Sequence, residues 1–223
     1  MKLIDIPANA FSDIHTELLR QRLLVNSFRN VAGVGRSQTF GVVNRRCLAP
    51  DYCKLSWARP YLYKLLLEFG ATYVPFSFSS ITVNDSYRAA PHRDKGNTGD
   101  SLVVAFGEYT GGDLRLHEGD NAGVYDIKHR GIVADFKATL HSVEPFEGRR
   151  FSLVFYNIQH KRLVPLPPPS VVQNENGKYV FKRGDEVCNG LPHPLRGMKR
   201  KNHKKPQAET DVKESVSFEV TFD

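Results

Sequence analysis

Cysteine is scarce in this chain of 223 residues. There are three, Cys47, Cys53 and Cys188, and no CxxC pair. An odd, unpaired set builds neither a zinc ribbon nor a disulfide framework, and free thiols fit a reducing compartment. Long apolar runs are missing as well. No stretch approaches ~18 uninterrupted apolar residues, so no membrane association is expected. The opening MKLIDIPANAFSDIH carries acids and a proline where a secretory signal needs an apolar run. An intracellular protein, cytoplasmic or nuclear and not secreted, is the expectation. The glycine-rich stretch GVGRSQTFGVV (33–43) has neither GxGxxG nor a phosphate-loop lysine, and reads as a turn followed by a strand.

What is present points to a globular chain. Hydrophobic residues make up 40% and aromatics 11%, enough to bury a core. The formal net charge of +7 favours anionic partners, nucleic acid above all. Residues 161–223 carry 12 Lys and Arg against 8 Asp and Glu, which makes the end of the chain its more basic part. The cluster Lys199, Arg200, Lys201, Lys204 and Lys205 reads as a phosphate-contacting or nuclear-address segment, or as a solvated tail.

The spacing predicts a helix through IHTELLRQRLL, capped by Ser12 or Asp13, with Ile14, Leu18, Leu19 and Leu23 on its apolar face. A buried helix is predicted over 59–70, opening near Pro60 and ending at Gly70. From residue 74 the pattern changes to short strand-like runs separated by turns such as TGG and EGDN. About seven such runs behind helices predict a mainly β fold, a β-sandwich or jelly roll braced by N-terminal helices. We divide the chain into a support region (1–73), a β core (74–160) and a proline-rich boundary with a basic extension (161–223). A hairpin is predicted near Asn176-Gly177.

One stretch raises a chemical question. APHRDKGN places His92 and Asp94 one residue apart, so on a strand both side chains leave one face. Alone, the pair is equally a surface ion pair. His141, in KATLHSVEPF, supplies a second histidine, and two histidines with one carboxylate make the facial triad of non-haem iron(II) sites. His129 is the rival distal ligand. Nine residues beyond His141 lies Arg150, which shares a strand face with Ser152. Arg149 and Phe151 share the other face. A guanidinium with a neighbouring hydroxyl suits a carboxylate, and a one-residue slip would give that role to Arg149.

The ordered set HRD, His141 and RFS resembles the iron(II)/2-oxoglutarate-dependent oxygenase superfamily over roughly residues 74–158. The run ITVNDSYRAAPHRDKGNTGDSLVVAFGEYTGGDL resembles its TET/JBP-like branch, whose members oxidise pyrimidine methyl groups in nucleic acid. The resemblance implies a double-stranded β-helix, Fe(II) held by His92, Asp94 and His141, 2-oxoglutarate as cosubstrate, and O2. It also implies that Arg150, assisted by Ser152, pairs with the distal carboxylate of 2-oxoglutarate. Asn84 stands where related enzymes contact cosubstrate or substrate, and Asn97 and Ser101 are candidates for orienting the site. The implied reaction is hydroxylation of a substrate C–H bond, with a pyrimidine 5-methyl group in DNA or RNA as the leading candidate. The chain lacks the cysteine-rich portion of animal TET proteins and a second domain of the JBP type. Prolyl or lysyl hydroxylation of a protein is the alternative, although prolyl hydroxylases of this superfamily commonly carry Lys where this chain has Arg150. A catalytically inactive jelly roll that binds nucleic acid is the third reading.

Overall fold

The computed structural model describes residues 1–21, 33–45, 48–158 and 169–188. It opens with β1 (Lys2–Asp5), a 3-10 turn and α1 (Ser12–Arg20). Next come β2 (Gly33–Arg45), β3 (Leu48–Tyr52), α2 (Lys54–Ala58) and α3 (Pro60–Tyr73). Strands β4 (Ser80–Ala89), β5 (Asn97–Gly111), β6 (Leu114–Leu116), β7 (Gly123–Tyr125) and β8 (Arg130–Ala134) follow. The last are β9 (His141–Val143), β10 (Phe146–Ile158), β11 (Pro169–Gln173), β12 (Tyr179–Arg183) and β13 (Glu186–Cys188).

The pairing is antiparallel, and the main sheet has seven strands in the order β1-β8-β5-β10-β4-β2-β3. The period of two along its central strands separates two faces. Ile81 and Val83 of β4, Leu102, Val104 and Phe106 of β5, and Phe151, Leu153 and Phe155 of β10 pack with Phe11, Leu18, Leu62, Leu66 and Phe69 of the helical layer. Each such fully buried side chain stabilises the fold by roughly 1.5–3 kcal/mol. The other face meets the small sheet β7-β6-β9 through Val103, Ala105, Leu114, Leu116 and Ile132. The alternate residues of β4 and β10 face a cavity between the two sheets. The mainly β expectation holds: this is a jelly roll with N-terminal helices against its larger sheet.

Several local expectations need correction. α1 begins without a side-chain cap, behind the 3-10 turn at Ala8–Phe11, and Leu19 is 48% exposed because the buried stripe runs through Ile14, Glu17 and Leu18. Gly70 does not end α3, which continues to Tyr73. A Cβ there would lie 2.3 Å from the Phe78 ring, so this glycine serves close packing. The stretch 33–43 is strand throughout. The hairpin forms as expected: β11 pairs with β12 around Gly177, at φ +70°. Phe181 of β12 enters the main core beside Tyr52 and Tyr63.

The chain divides into two units, Met1–Leu191 and Pro192–Asp223, and the second lies outside the described residues. So do Leu23, most of the proline-rich boundary and the basic cluster. No helix among the described residues is long and apolar enough to cross a membrane.

Candidate active site

Residues 91–94 form no regular strand, yet one bridge places them. His92 and His141 pair across an isolated antiparallel bridge, and the Asp94 amide donates to the Phe136 carbonyl at 3.0 Å. His92, Asp94 and His141 then offer ligand atoms that all lie within 4.8 Å of one another. The His92 and His141 ring centroids are 4.3 Å apart.

The tautomers are fixed by the backbone. His92 Nδ1 lies 2.8 Å from the Ala90 carbonyl, and His141 Nδ1 lies 3.0 Å from the Thr139 carbonyl. A carbonyl oxygen only accepts, so both Nδ1 atoms carry hydrogen and both Nε2 lone pairs are left for a metal. His92 Nε2 faces Asp94 Oδ1 at 3.4 Å. Once protonated, Nε2–H donates to that carboxylate, and this above all raises the His92 pKa. His141 is buried, and burial lowers its pKa and keeps it neutral. Asn97 Nδ2 donates to Asp94 Oδ2 and to Ser101 Oγ, both at 3.2 Å, and so orients the carboxylate. Two imidazoles and one carboxylate, with the remaining directions opening into a cavity, fit a mononuclear iron(II) site.

Arg150 sits in the same cavity and is the largest fully buried side chain, 1% exposed. Its Nε donates to the Gly112 carbonyl at 3.1 Å, and its Nη2 has no hydrogen-bond partner. The guanidinium lies near the rings of Tyr109 and Phe146, 5.6 and 5.7 Å from their centroids. No carboxylate pairs with it among the described residues. Burial pulls its pKa down. A buried cation without an anion is costly, and the natural remedy is an anionic ligand.

Tyr109 was not singled out from the sequence. Its hydroxyl is also buried without a hydrogen-bond partner. Burial pushes its pKa up to about 12, while the adjacent Arg150 pulls against that shift. It is therefore a neutral donor beside a cation. Ser152 Oγ accepts from Asn84 Nδ2 at 3.1 Å, which leaves the hydroxyl hydrogen free to donate. Arg150 and Ser152 line the cavity and suit a carboxylate, while Tyr109 stands beside the guanidinium and is not among the lining residues. Arg149 lies on the opposite face, bonded to Asp85 at 2.9 and 3.2 Å and stacked over Phe151.

The cavity holds about 240 Å³ and is lined by the triad, Arg150, Ser152 and Asn84. It continues to a row of hydroxyls that sequence reasoning missed. Thr82 Oγ1 lies 3.2 Å from Thr39 Oγ1 and 3.3 Å from the Tyr156 hydroxyl. Tyr156 shares a face with Arg150 and Ser152 at period two, a signal that was there to be read. Thr39 arrives through the β2–β4 pairing, where Thr39 stands opposite Thr82. His129 is remote from the triad, stacked on Phe11 at 5.3 Å with φ +58°. His117 bonds Ser142 Oγ, and Trp57 packs against the core, as structural residues do.

No protein-family model and no curated protein matches the chain in sequence. Solved structures do match. NgTET1 in complex with 5mC DNA is similar over 70% of this chain and 71% of that one, with TM-score 0.51 and 12% identity. The fold is a double-stranded β-helix. A 2OG-Fe(II) oxygenase family oxidoreductase from Burkholderia pseudomallei is similar over 69% of this chain and 82% of its own, with TM-score 0.48 and 19% identity. A prolyl-4-hydroxylase from Pseudomonas putida is similar over 71% and 92%, with TM-score 0.45 and 16% identity. In this double-stranded β-helix the triad lies at the rim, on the 91–94 segment and β9, and Arg150 projects inward from β10 of the larger sheet.

Proposed function

We propose that the protein is an iron(II)- and 2-oxoglutarate-dependent dioxygenase that hydroxylates a pyrimidine 5-methyl group in nucleic acid. The observation that carries the reading is the buried guanidinium of Arg150, with no carboxylate partner among the described residues, in the cavity that holds the His92, Asp94 and His141 donors.

His92, Asp94 and His141 hold the metal. Bound iron(II), with 2-oxoglutarate and O2, supplies the oxidising power for cleaving a C–H bond. Asp94 is an anionic ligand, not a general base, and Asn97 fixes its orientation. Arg150 and Ser152 grip the distal carboxylate of the cosubstrate, Tyr109 backs the guanidinium, and Asn84 aims the Ser152 hydroxyl. Gly112 lets the chain pass close to Arg150: a Cβ there would lie 2.9 Å from Arg150 Cδ and Nε. The apolar walls, Val103, Leu114, Phe136 and Val154, exclude water from the reacting groups.

The substrate class rests on three supports. The cavity of about 240 Å³ is small for a ligand site, which typically spans ~300–1,000 Å³, and suits the cosubstrate plus one small flat group. The hydroxyls of Thr39, Thr82 and Tyr156 offer donors and acceptors to a base edge. The fold is shared with a protein bound to 5mC DNA, and the chain carries net charge +7. The basic cluster at Lys199–Lys205 would add contacts to phosphates.

The test is succinate release that needs iron(II) and 2-oxoglutarate and vanishes in Asp94→Ala. Mass spectrometry of digested DNA, RNA and peptides after incubation then names the substrate. Oxygen incorporated only into peptides would replace the base-oxidation reading with protein hydroxylation. No turnover on any of them would favour a binding module.

A further inference from the structure

The residue between the two metal ligands of the HRD motif points away from the cavity, and its contacts form a closed set. Arg93 Nε donates to the Ala138 carbonyl at 3.0 Å, and its Nη2 bonds Glu118. The same Glu118 oxygen accepts from the Leu140 amide at 2.8 Å. The His117 amide donates to the Leu140 carbonyl at 2.9 Å. One guanidinium thus ties the 91–94 segment to two points of the turn that ends at His141, directly at Ala138 and through Glu118 at Leu140.

The backbone alone gives little purchase here. His92 and His141 meet in an isolated bridge, and Asp94 adds a single amide bond to Phe136. His92 and Asp94 therefore sit on an irregular segment that meets β9 through one bridge, without a ladder between them. An exposed ion pair by itself contributes little. This one is also bound to two backbone groups of the segment it must place, and outer partners of metal sites commonly set affinity by 10–100-fold.

We infer that Arg93 and Glu118 are positioning residues: a side-chain clip that holds His92 and Asp94 in register with His141 and so sets metal affinity. The inference rests on the iron-site reading above. Neither residue touches the cosubstrate or the reacting atoms. Their effect reaches the metal only through where the backbone holds its ligands.

The test is anaerobic titration of the full chain with Co(II), read by its visible absorption, beside thermal unfolding of the metal-free protein. Arg93→Ala and Glu118→Ala should each raise the Co(II) Kd roughly tenfold. The double variant should lose little more than Arg93→Ala alone, because without the guanidinium Glu118 no longer reaches the 91–94 segment. Glu118→Gln, which keeps an acceptor for Leu140, should recover most of the affinity. If Arg93→Ala fails to fold, Arg93→Lys serves, since it keeps the charge and loses the fork to Ala138, and its Kd should also rise. Kd values within about twofold of the parent in folded variants, or strictly additive losses, would overturn the clip while leaving the iron reading intact. A folded parent that binds no Co(II) would instead overturn the iron reading, and the clip with it.

Discussion

His92 and His141, 49 positions apart in the chain, exchange both backbone hydrogen bonds: the His92 amide reaches the His141 carbonyl at 2.9 Å, and the His141 amide reaches the His92 carbonyl at 3.0 Å. This single bridge brings a motif histidine and a distant one ring to ring, each with Nδ1 held by a carbonyl. The site's chemistry begins from that pairing.

Arg150 is the first point to test. Arg150→Met removes a buried charge that has no anionic partner, so the ligand-free protein should unfold at the same temperature as the parent or higher. The parent should gain roughly 2.7 kcal/mol of stability at 2-oxoglutarate ~100 times its Kd, and the variant should gain almost nothing. Thermal unfolding with and without 2-oxoglutarate reads both effects. A variant still stabilised by 2-oxoglutarate would dismiss Arg150 as the clamp.

The acidity of His92 makes a signed prediction. Hydrogen bonding to Asp94 raises its pKa above the usual histidine value of about 6.5 in the metal-free protein. A proton there competes with the metal, so affinity should be full above the raised value and fall as pH drops through it. The loss should begin at higher pH than for an ordinary histidine. Stability of the metal-free protein runs the other way. The contribution of protonated His92 is fully present below the unfolded value of ~6.5 and is lost as pH rises through the folded one. Mn(II) titration by electron paramagnetic resonance across about pH 6–8 checks the first trend. Affinity flat over that range would refute it.

Gly112 is the third. Its φ of +73° and the 2.9 Å approach of a Cβ to Arg150 make Gly112→Ala doubly unfavourable. Backbone strain costs about 1–3 kcal/mol, and the guanidinium must shift. We expect a KM for 2-oxoglutarate raised about tenfold, a 1.4 kcal/mol effect, with metal affinity unchanged. Steady-state succinate assays and Co(II) titration separate the two.

Tyr156→Phe probes the substrate side. The variant loses a hydroxyl that meets Thr82, a bond worth about 0.5–1.5 kcal/mol. Substrate oxidation should slow by up to roughly tenfold, while 2-oxoglutarate turnover without substrate stays at the parent level. Comparing succinate yield with product yield on 5-methylated DNA measures this. Equal loss of both would place Tyr156 with the cosubstrate instead.

Much of the site could be read along the chain. The HRD motif, His141 and the alternation of Arg150 with Ser152 are local patterns with fixed chemistry. Tyr109 and Thr39 were not legible, because each owes its place to a partner far away: Tyr109 to Arg150 on β10, and Thr39 to Thr82 across the β2–β4 ladder.

Sequence alone determined that Arg149 and Arg150 leave opposite faces of one strand, since side chains alternate along it whatever surrounds them. Only the tertiary structure decided which face is the cavity. Phe151, Leu153 and Phe155 turn that side of β10 onto the helices, with Arg149 anchored there to Asp85, and this leaves Arg150 to point inward. Period is a property of the backbone, whereas burial is a property of what packs against it, and the packing partners come from the other end of the chain.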